Sequence, residues 1–251
     1  IMSEIQKPFL KWVGGKTQII NNILEIFPQH INNYHEPFLG GGSVLLGLLT
    51  LQKTGHITIN GTIKAYDLNQ GLINVYQNIK NNKDELLLKL DSYKKTYNEL
   101  TGVTINRNPI NIDEALTSKE SYYYWLRNHF NNEPKTTCKS AALFIFLNKT
   151  GFRGMYREGP NGFNIPYGHY KKTPQMLSKT EMDNISSLIQ NVDFKCADFS
   201  TSLTNIQEGD FIYFDPPYAP EASNSFVYTQ SMICNFDSKP VKFEFEKTKS
   251  P

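Results

Sequence analysis

Short apolar runs and segments with helically spaced apolar residues alternate along the N-terminal part of the chain. Five apolar residues predict a helix over 17–27 that ends at Pro28: Ile19, Ile20, Ile23, Leu24 and Phe27. The segments that follow are predicted as a strand, a glycine loop, a helix and a strand that ends at Asp67: 34–38, 39–43, 44–53 and 62–66. This order is typical of the start of a doubly wound α/β sheet.

The pattern then becomes mainly helical and returns to strands near the C-terminal end. Between residues 72 and 146 apolar stripes are spaced for helices. The aromatic run YYYWLRNHF at 122–130 is expected to form a helix that packs its rings into a core. Strand signals return at 192–197 and 210–214, so the helical segments read as an insertion into the sheet.

We therefore predict an α/β fold, a doubly wound sheet interrupted by a mainly helical insertion. The predicted domains are a discontinuous one over 1–69 and 170–251 and an inserted one over 70–169. At 251 residues the chain is long enough for one large domain that carries an insertion.

Charge is nearly balanced, with 26 lysine and arginine residues against 24 aspartate and glutamate residues. This balance neither demands nor excludes a nucleic-acid partner, so the local distribution has to decide. Between residues 149 and 172 one acid, Glu158, stands among five basic residues: Lys149, Arg153, Arg157, Lys171 and Lys172. Such a cluster suits phosphate contacts.

Cysteine and histidine positions exclude the common disulfide and metal patterns. Cys138, Cys196 and Cys234 are far apart and odd in number, and no CxxC, HxxxH or HxH spacing occurs. We therefore expect no metal site and a reducing compartment. No signal peptide or apolar run of membrane-spanning length is visible, so we expect a soluble, cytoplasmic protein with no membrane partner.

The glycine loop at 39–43 lets a ligand approach bare backbone at a helix N-terminus. Gly40 and Gly42 fit the dinucleotide spacing GxGxxG, but Leu45 occupies its third position, so hydride transfer loses its main support. Asp67 at the next strand tip is placed to accept from ribose hydroxyls. A purely structural turn explains the glycines equally well. As a ligand, an adenosine without pyrophosphate, such as S-adenosylmethionine, fits better than a dinucleotide.

The run DFIYFDPPY at 210–218 predicts a buried strand that stops at two prolines, neither of which can donate to a sheet. By itself this ending is compatible with an ordinary loop. Three further motifs give it context: KWVGGK at 11–16, EPFLGGGS at 36–43 and FRGMYREGPNGFNIPYG at 152–168. Together the motifs resemble the Dam-like family of adenine-N6 DNA methyltransferases, in family order, from about Lys7 to Tyr228.

The resemblance implies a Rossmann-like, S-adenosylmethionine-dependent methyltransferase sheet with an inserted, mainly helical target-recognition domain. It implies transfer of a methyl group from S-adenosylmethionine to the N6 amine of adenine in a short specific sequence of double-stranded DNA, after base flipping. The catalytic loop would be Asp215, Pro216, Pro217 and Tyr218. In it, Asp215 and the Pro216 carbonyl would accept hydrogen bonds from the amine, and Tyr218 would stack on the flipped base.

The resemblance also implies a cofactor site made of these residues: Trp12, Lys16, Glu36, Phe38, Gly40, Gly42, Asp67, Asp198, Phe199 and Asp215. Trp12 would flank the cofactor, Asp67 would bind its ribose, and Asp198 with Phe199 would bracket its adenine. Glu36 would position its amino-acid end. The competing interpretations are a core aromatic for Trp12 and a helix cap for Asp198.

The implied DNA-binding residues are Lys11, Phe152, Arg153, Met155 and Arg157. Arg157 matches a position that reads guanine, and Phe152 and Met155 match positions that insert into the base stack. A solvated surface charge is the ordinary explanation for one basic residue, but these lie in the basic cluster. The recognition sequence stays open among GATC, CATG and other short palindromes, because Arg153 stands where GATC-specific relatives often carry Asn.

The resemblance by motif ends in the C-terminal tail, where too few residues follow Tyr218 for the family's remaining elements. We therefore expect the C-terminal part of the sheet to be truncated. The alternative function is a catalytically impaired remnant that binds DNA or the cofactor. Methylation of RNA or of a protein glutamine is a further alternative, disfavoured by the DNA-type hairpin and by Asp rather than Asn at 215. We expect a monomer, with a restriction endonuclease as a candidate partner.

Overall fold

The computed structural model describes residues 5–204 and 206–217, together with the backbone of two short strands at 232–235 and 244–245. Its helices are α1 (Ile20–Glu25), α2 (Ser43–Lys53), α3 (Gln70–Asn81), α4 (Lys83–Glu99), α5 (Ile112–Ala115), α6 (Lys119–Asn132), α7 (Cys138–Thr150), α8 (Lys179–Leu188) and α9 (Phe199–Leu203). Its strands are β1 (His30–Ile31), β2 (Tyr34–Glu36), β3 (Thr58–Ile59), β4 (Ile63–Asp67), β5 (Glu158–Gly159), β6 (Gly162–Phe163), β7 (Val192–Cys196), β8 (Phe211–Phe214), β9 (Met232–Asn235) and β10 (Glu244–Phe245).

The chain divides into two compact units, which we name the sheet unit and the helical unit. The sheet unit comprises Ile1–Pro8, Gly14–Asn69 and Leu188–Pro251, and the helical unit comprises Phe9–Val13 and Gln70–Ser187. In this division the segments 9–13 and 170–187 belong to the helical unit. The predicted domain boundaries, which end the insertion at residue 169, stay a prediction.

A six-stranded sheet forms the centre of the sheet unit, in the order β10-β9-β8-β2-β4-β7. The strands β8, β2, β4 and β7 run parallel to one another, whereas β9 and β10 are antiparallel. All of Tyr34–Glu36 in the central β2 is buried, as expected for a parallel strand inside a sheet. The predicted α/β fold with a mostly parallel, Rossmann-like sheet is confirmed.

Two predicted elements are shorter in the structure than in the sequence pattern. The strand predicted over 34–38 stops at Glu36, because Pro37 has no N–H to donate to the sheet. The helix predicted over 17–27 begins only at Ile20, because Ile19 has φ −115° and ψ 11°, outside the helical range.

The tail beyond β8, where the sheet was expected to be truncated, contributes two short strands. The β9 strand pairs antiparallel with β8, with Phe211 opposite Asn235 and Phe214 opposite Met232, and β10 pairs with β9. Main-chain pairing with an existing strand requires no alternating side-chain pattern, so these strands could not be predicted from the pattern of the tail.

The helical unit is organised around α7, whose residues from Ser140 to Asn148 are buried. This helix packs against α3, α4 and α6. Tyr122, Tyr123 and Phe130 of α6 are buried, which confirms that the aromatic run packs a helix into a core. None of the helices in the described part of the chain is both long and apolar enough to cross a membrane.

Candidate active site

Four parallel strands of the sheet unit end at one edge, which we name the carboxyl edge. The glycine loop follows β2, Asp67 ends β4, Asp198 lies shortly after β7, and Asp215 directly follows β8. Ligands of open α/β sheets bind outside this edge. The described residues contain no group of His, Cys, Asp or Glu side chains suited to a metal ion.

The glycine loop is held by the carboxylate of Asp67. Gly40 (φ 51°) and Gly42 (φ 71°) adopt the left-handed conformation that favours glycine. One oxygen of Asp67 accepts from the Gly40 N–H at 3.0 Å, and the other accepts from the Asn69 N–H at 2.9 Å. Burial raises the pKa of Asp67, and these backbone hydrogen bonds partly offset that effect. An ionised carboxylate retains further acceptor sites, so Asp67 can also receive hydroxyl groups of a ribose.

The buried hydroxyl of Ser43 lies directly after the glycine loop, at the first residue of α2. Among the residues that the structure describes, its Oγ has no hydrogen-bond partner. A buried hydroxyl left without a partner is unfavourable, and such groups often face a ligand or an ordered water. The site therefore fits a ligand that brings a polar group to the N-terminus of α2.

Asp215 is paired with Lys16 at the end of β8. The distance from Lys16 Nζ to Asp215 Oδ2 is 2.6 Å, and Nζ also donates to the Gly14 carbonyl at 2.8 Å. The two side chains are only 9% and 15% exposed. A second hydrogen-bond donor that approaches Asp215 therefore has to share this carboxylate with the ammonium group. Tyr218 lies outside the described residues.

Glu36 is a buried carboxyl group near Asp215. The hydroxyl of Tyr34 donates to its Oε2 at 2.7 Å. Burial raises the pKa of Glu36 to about 8, the Tyr34 hydrogen bond opposes this shift, and the negative charge of Asp215 adds to it. At neutral pH most of the Glu36 carboxyl is therefore protonated. A cation placed beside it would favour the ionised form.

Three phenylalanine rings cluster at the carboxyl edge: Phe38 in the loop after β2, Phe199 at the start of α9 and Phe214 at the end of β8. Phe38 and Phe199 stack with their centroids 5.6 Å apart, and Phe214 contacts Phe38 edge-on at 5.1 Å. Phe199 is 41% exposed, so the cluster offers part of its apolar face to solvent. A planar, apolar ligand group such as an adenine ring fits against a surface of this kind.

Asp198 forms the N-cap of α9. Its side chain accepts from the Ser200 N–H at 2.9 Å. Hydrogen bonds from the side chain and then the backbone of Ser200 lower the pKa of Asp198. The helix-cap interpretation weighed for Asp198 is therefore realised. Its role beside the adenine of a cofactor stays a prediction.

Trp12 contacts aromatic residues within the helical unit. Its ring stacks on Phe144 with centroids 6.2 Å apart and on Tyr156 with centroids 5.9 Å apart. The indole is half-buried, so part of it stays accessible. Its predicted role beside the cofactor is not tested by these contacts.

The predicted DNA-binding turn of the helical unit presents an aromatic ring and a cation together. Phe152 is 42% exposed, and the guanidinium carbon of Arg153 lies 5.1 Å from the centre of its ring. Arg153 has φ 54°, a conformation unusual for a residue with a side chain. Met155, also predicted to contact DNA, is half-buried.

Arg157 precedes β5 and is held by a residue that follows β6. Its Nε donates to Asn164 Oδ1 at 2.7 Å, and the Asn164 N–H donates to the Arg157 carbonyl at 3.1 Å. The bond at Nε fixes the plane of the guanidinium group. A guanidinium of fixed plane suits bidentate recognition of a guanine edge.

Several contacts of the site were not singled out from the sequence. Tyr34 could have been found, because residues two apart on a strand share a face and Tyr34 therefore lies beside Glu36. The unpartnered hydroxyl of Ser43 and the hydrogen bond from Arg157 to Asn164 have no signal in the sequence, since each depends on folded geometry.

Comparison with protein families gives a match over most of the chain. The family of D12 class N6 adenine-specific DNA methyltransferases matches residues 12–249. The match extends past Tyr228, where the resemblance by motif ended, and includes the C-terminal tail.

Named relatives agree with the family match. The chain is 38% identical over 235 residues to the type II methyltransferase M.MjaIII of Methanocaldococcus jannaschii, covering 89% of this chain and 74% of the relative. It is 32% identical over 225 residues to the type II methyltransferase M1.LlaDCHI of Lactococcus lactis subsp. cremoris, covering 87% and 68%. It is 32% identical over 219 residues to the DNA adenine methylase of Haemophilus influenzae, covering 85% and 64%.

Proposed function

Because this chain belongs to the D12 class N6 adenine-specific DNA methyltransferase family, we propose that its carboxyl edge methylates adenine at N6 within a short specific sequence of double-stranded DNA. The target adenine would be flipped out of the duplex, since its amine is inaccessible to an active site inside the helix. The observation that carries the proposal is the position of Asp215. It stands at the end of β8, at the same edge as the glycine loop and Asp67.

The residues of the carboxyl edge fit S-adenosylmethionine. Asp67 would hold its ribose hydroxyls, and the cluster of Phe38, Phe199 and Phe214 would contact its adenine ring. Two observations support a ligand with polar and cationic groups: the unpartnered hydroxyl of Ser43 and the raised pKa of buried Glu36. An ammonium group near Glu36 would remove the cost of ionising this carboxyl.

S-adenosylmethionine, when bound, supplies a methyl group on a positively charged sulfur. The adenine amine is a weak nucleophile because its lone pair is delocalised into the ring. Asp215 and the Pro216 carbonyl would accept hydrogen bonds from the amine and favour its tetrahedral form. Asp215 and Pro216 would thereby direct the lone pair of N6 toward the methyl group that the cofactor would supply, and Asp215 or water would take the N–H proton that the amine loses. Holding the amine in line supplies much of the rate enhancement.

The pairing of Lys16 with Asp215 gives the site an ordered resting arrangement. Without a target base, the ammonium group lies 2.6 Å from the partly buried carboxylate. The adenine amine would take over part of this hydrogen bonding, with Lys16 still bonded to the Gly14 carbonyl. Lys16 would therefore hold the Asp215 side chain in its orientation before the base arrives.

The turn and hairpin of the helical unit would read the DNA. Phe152 and Met155 would enter the base stack, Arg157 would contact a guanine edge, and Lys11 and Arg153 would contact phosphates or bases. The fixed plane of the Arg157 guanidinium supports this proposal.

The names of two relatives as type II methyltransferases support a place in a restriction-modification system. The partner would be an endonuclease that cuts the same sequence when it is unmethylated. The protein would then work in the cytoplasm, where the DNA lies.

The test is transfer of labelled methyl groups from S-adenosylmethionine to DNA that lacks adenine methylation. We expect N6-methyladenine in the digested product, and none above background with Asp215→Ala. Binding of DNA and S-adenosylmethionine without any transfer by the folded full chain would contradict the proposal and favour a binding function.

A further inference from the structure

Asn148 in the last turns of α7 is a buried amide that joins two separate parts of the helical unit. It is 4% exposed. Its Oδ1 accepts from the Lys11 N–H at 2.9 Å, and its Nδ2 donates to the Lys11 carbonyl at 2.7 Å. Nδ2 also donates to the Gly154 carbonyl at 3.0 Å. The side chain thus bonds both the N–H and the carbonyl of Lys11, as the main chain of a neighbouring strand would. Its remaining N–H bonds the turn at 152–154.

These bonds use both N–H groups of the amide. A primary amide is the side-chain group that can bind a peptide N–H and C=O together and still donate once more. Aspartate lacks the donors, and leucine of similar size lacks all three bonds. No other residue type of this size can therefore replace Asn148 in this arrangement.

The two segments joined by Asn148 also pack tightly on each other. Gly154 has φ 65°, and a Cβ placed on it would lie 2.4 Å from the Lys11 Cβ. Lys11 Nζ reaches the Tyr170 hydroxyl at 3.2 Å, and that hydroxyl donates to the Gly151 carbonyl at 2.9 Å. Small displacements of either segment would therefore break several contacts together.

Both segments carry residues that we assign to DNA. Lys11 lies 137 residues from Asn148 in sequence, and Gly154 stands between Arg153 and Met155. Because Asn148 bonds the main chain on both sides, it sets the distance between Lys11 and the turn without touching DNA itself. Discrimination between base sequences depends on such fixed distances, since a base-edge contact is lost when its donor shifts by a fraction of a hydrogen-bond length.

We propose that Asn148 is a positioning residue for sequence discrimination, which holds Lys11 and the turn at 152–154 in the register that reads the target sequence. The inference rests on the proposed function in one respect, that these segments read DNA. Its expected effect is on the choice of sequence.

The test compares Asn148→Leu and Asn148→Asp with Asn78→Leu as the matched control. Asn78 is also 4% exposed in the helical unit, and its Nδ2 donates to the carbonyl and side chain of Asn74 within α3. Each full-length variant partially methylates genomic DNA free of adenine methylation, and the bases around each methylated adenine are read by sequencing.

We expect both Asn148 variants to lower the preference for the favoured sequence over its single-base variants by about tenfold or more. Asn78→Leu should keep the wild-type preference. An Asn148→Leu profile equal to that of Asn78→Leu would overturn the inference.

Amide hydrogen exchange gives a readout independent of activity. Asn148→Leu should speed exchange at the Lys11 amide and across residues 152–157, whereas Asn78→Leu should leave these amides protected as in the wild type. Unchanged protection in Asn148→Leu would also overturn the inference. If the wild type methylates no DNA, the proposed function fails, and the exchange experiment still decides whether Asn148 holds the two segments.

Discussion

The amino ends and the carboxyl ends of the parallel strands differ in how their polar groups are partnered. We name the side of the sheet at the amino ends the amino edge. At the amino edge, Asp210 directly precedes β8 and accepts three hydrogen bonds, from Asn33 Nδ2 at 2.7 Å, the Gln207 N–H at 3.0 Å and His35 Nε2 at 3.0 Å. Burial raises the pKa of Asp210, but these bonds outweigh it and hold the pKa below its ordinary value. Burial lowers the pKa of His35, so a neutral ring donates to an ionised carboxylate.

The carboxyl edge lies at the other end of β8 and is arranged differently. Glu36 has a pKa raised to about 8, and Ser43 Oγ has no partner among the described residues. Asp215 is paired with a charged group, the ammonium of Lys16. Asp210 and Asp215 therefore flank the same strand in opposite states, one held by main-chain and neutral donors and the other paired with a charge.

The difference indicates that the two ends of β8 have different functions. The hydrogen bonds of Asp210 are made within the fold and stabilise it, whereas the raised pKa of Glu36 and the unpartnered hydroxyl of Ser43 are expected to be relieved when a ligand arrives. A missing partner is not by itself the distinction, because the buried Nδ1 of His35, beside Asp210, also has none among the described residues. We expect substitutions at the amino edge to change stability and substitutions at the carboxyl edge to change binding or chemistry.

The largest expected effect is that of Asp215→Asn on the rate of methyl transfer. The change keeps the shape of the side chain but removes the charge and one acceptor. We expect the single-turnover rate to fall about 10²–10³-fold, the range found when one preorganised polar contact to a reacting group is removed. Cofactor affinity, measured by calorimetry, should stay within a few-fold of wild type. A transfer rate near that of wild type would show that Asp215 is not the acceptor.

The next effect is that of Asp210→Asn on stability. The amide places a donor where the carboxylate accepts, so we expect a loss of about 1–3 kcal/mol in the free energy of unfolding, measured with urea. The pKa of Asp210 is lowered in the folded state, so its stabilisation is present at neutral pH and is lost as the pH falls through that pKa. The variant should therefore lose part of the acid dependence seen in the wild type.

Glu36 should make the free energy of unfolding depend on pH in the direction opposite to Asp210. Its folded pKa of about 8 lies above its ordinary value of 4.5, so stability is unaffected below that ordinary value and falls as the pH rises from there through 8. Glu36→Gln keeps a neutral group at all pH values. We expect the variant to be more stable than wild type at about pH 9, by on the order of 1–2 kcal/mol. Parallel stability curves for the two proteins between pH 5 and 9 would contradict this assignment.

The smallest expected effect is that of Ser43→Ala on cofactor affinity. Removing a hydroxyl that lacks a partner in the described structure should leave the melting temperature unchanged or slightly raised. If the hydroxyl contacts the cofactor, the dissociation constant should rise about three- to tenfold, equivalent to one hydrogen bond. Thr50→Ala serves as a control, because its hydroxyl is already bonded to the Leu46 carbonyl. A lower melting temperature with unchanged affinity would assign Ser43 to the fold instead.

The sequence predicted the fold class and the grouping of loops at the carboxyl edge, because parallel strands bring their ends together whatever the distance along the chain. It predicted Asp67 and Asp215 as residues at strand ends, and both lie there. Their roles toward cofactor and base stay predictions, as do those of the other proposed site residues.

The contacts that decide orientation could not be predicted. Two such contacts join residues far apart in sequence: the ion pair of Lys16 with Asp215 and the hydrogen bonds of Asn148 to Lys11. No periodicity in the sequence relates the members of either pair. The pKa of Glu36 depends on complete burial, which a strand pattern of three residues does not fix. These features arise from packing, so they appear only in the folded chain.

The most direct test of the division along β8 is the single-turnover rate of methyl transfer by Asp210→Asn and Asp215→Asn, both measured at a temperature where each variant is folded. We predict that Asp210→Asn keeps the wild-type rate per folded molecule although it is less stable, and that Asp215→Asn loses about 10²–10³-fold although it is not destabilised to the same degree. Equal losses of rate in the two variants would contradict the account, because they would show that both ends of the strand serve the chemistry only through the fold.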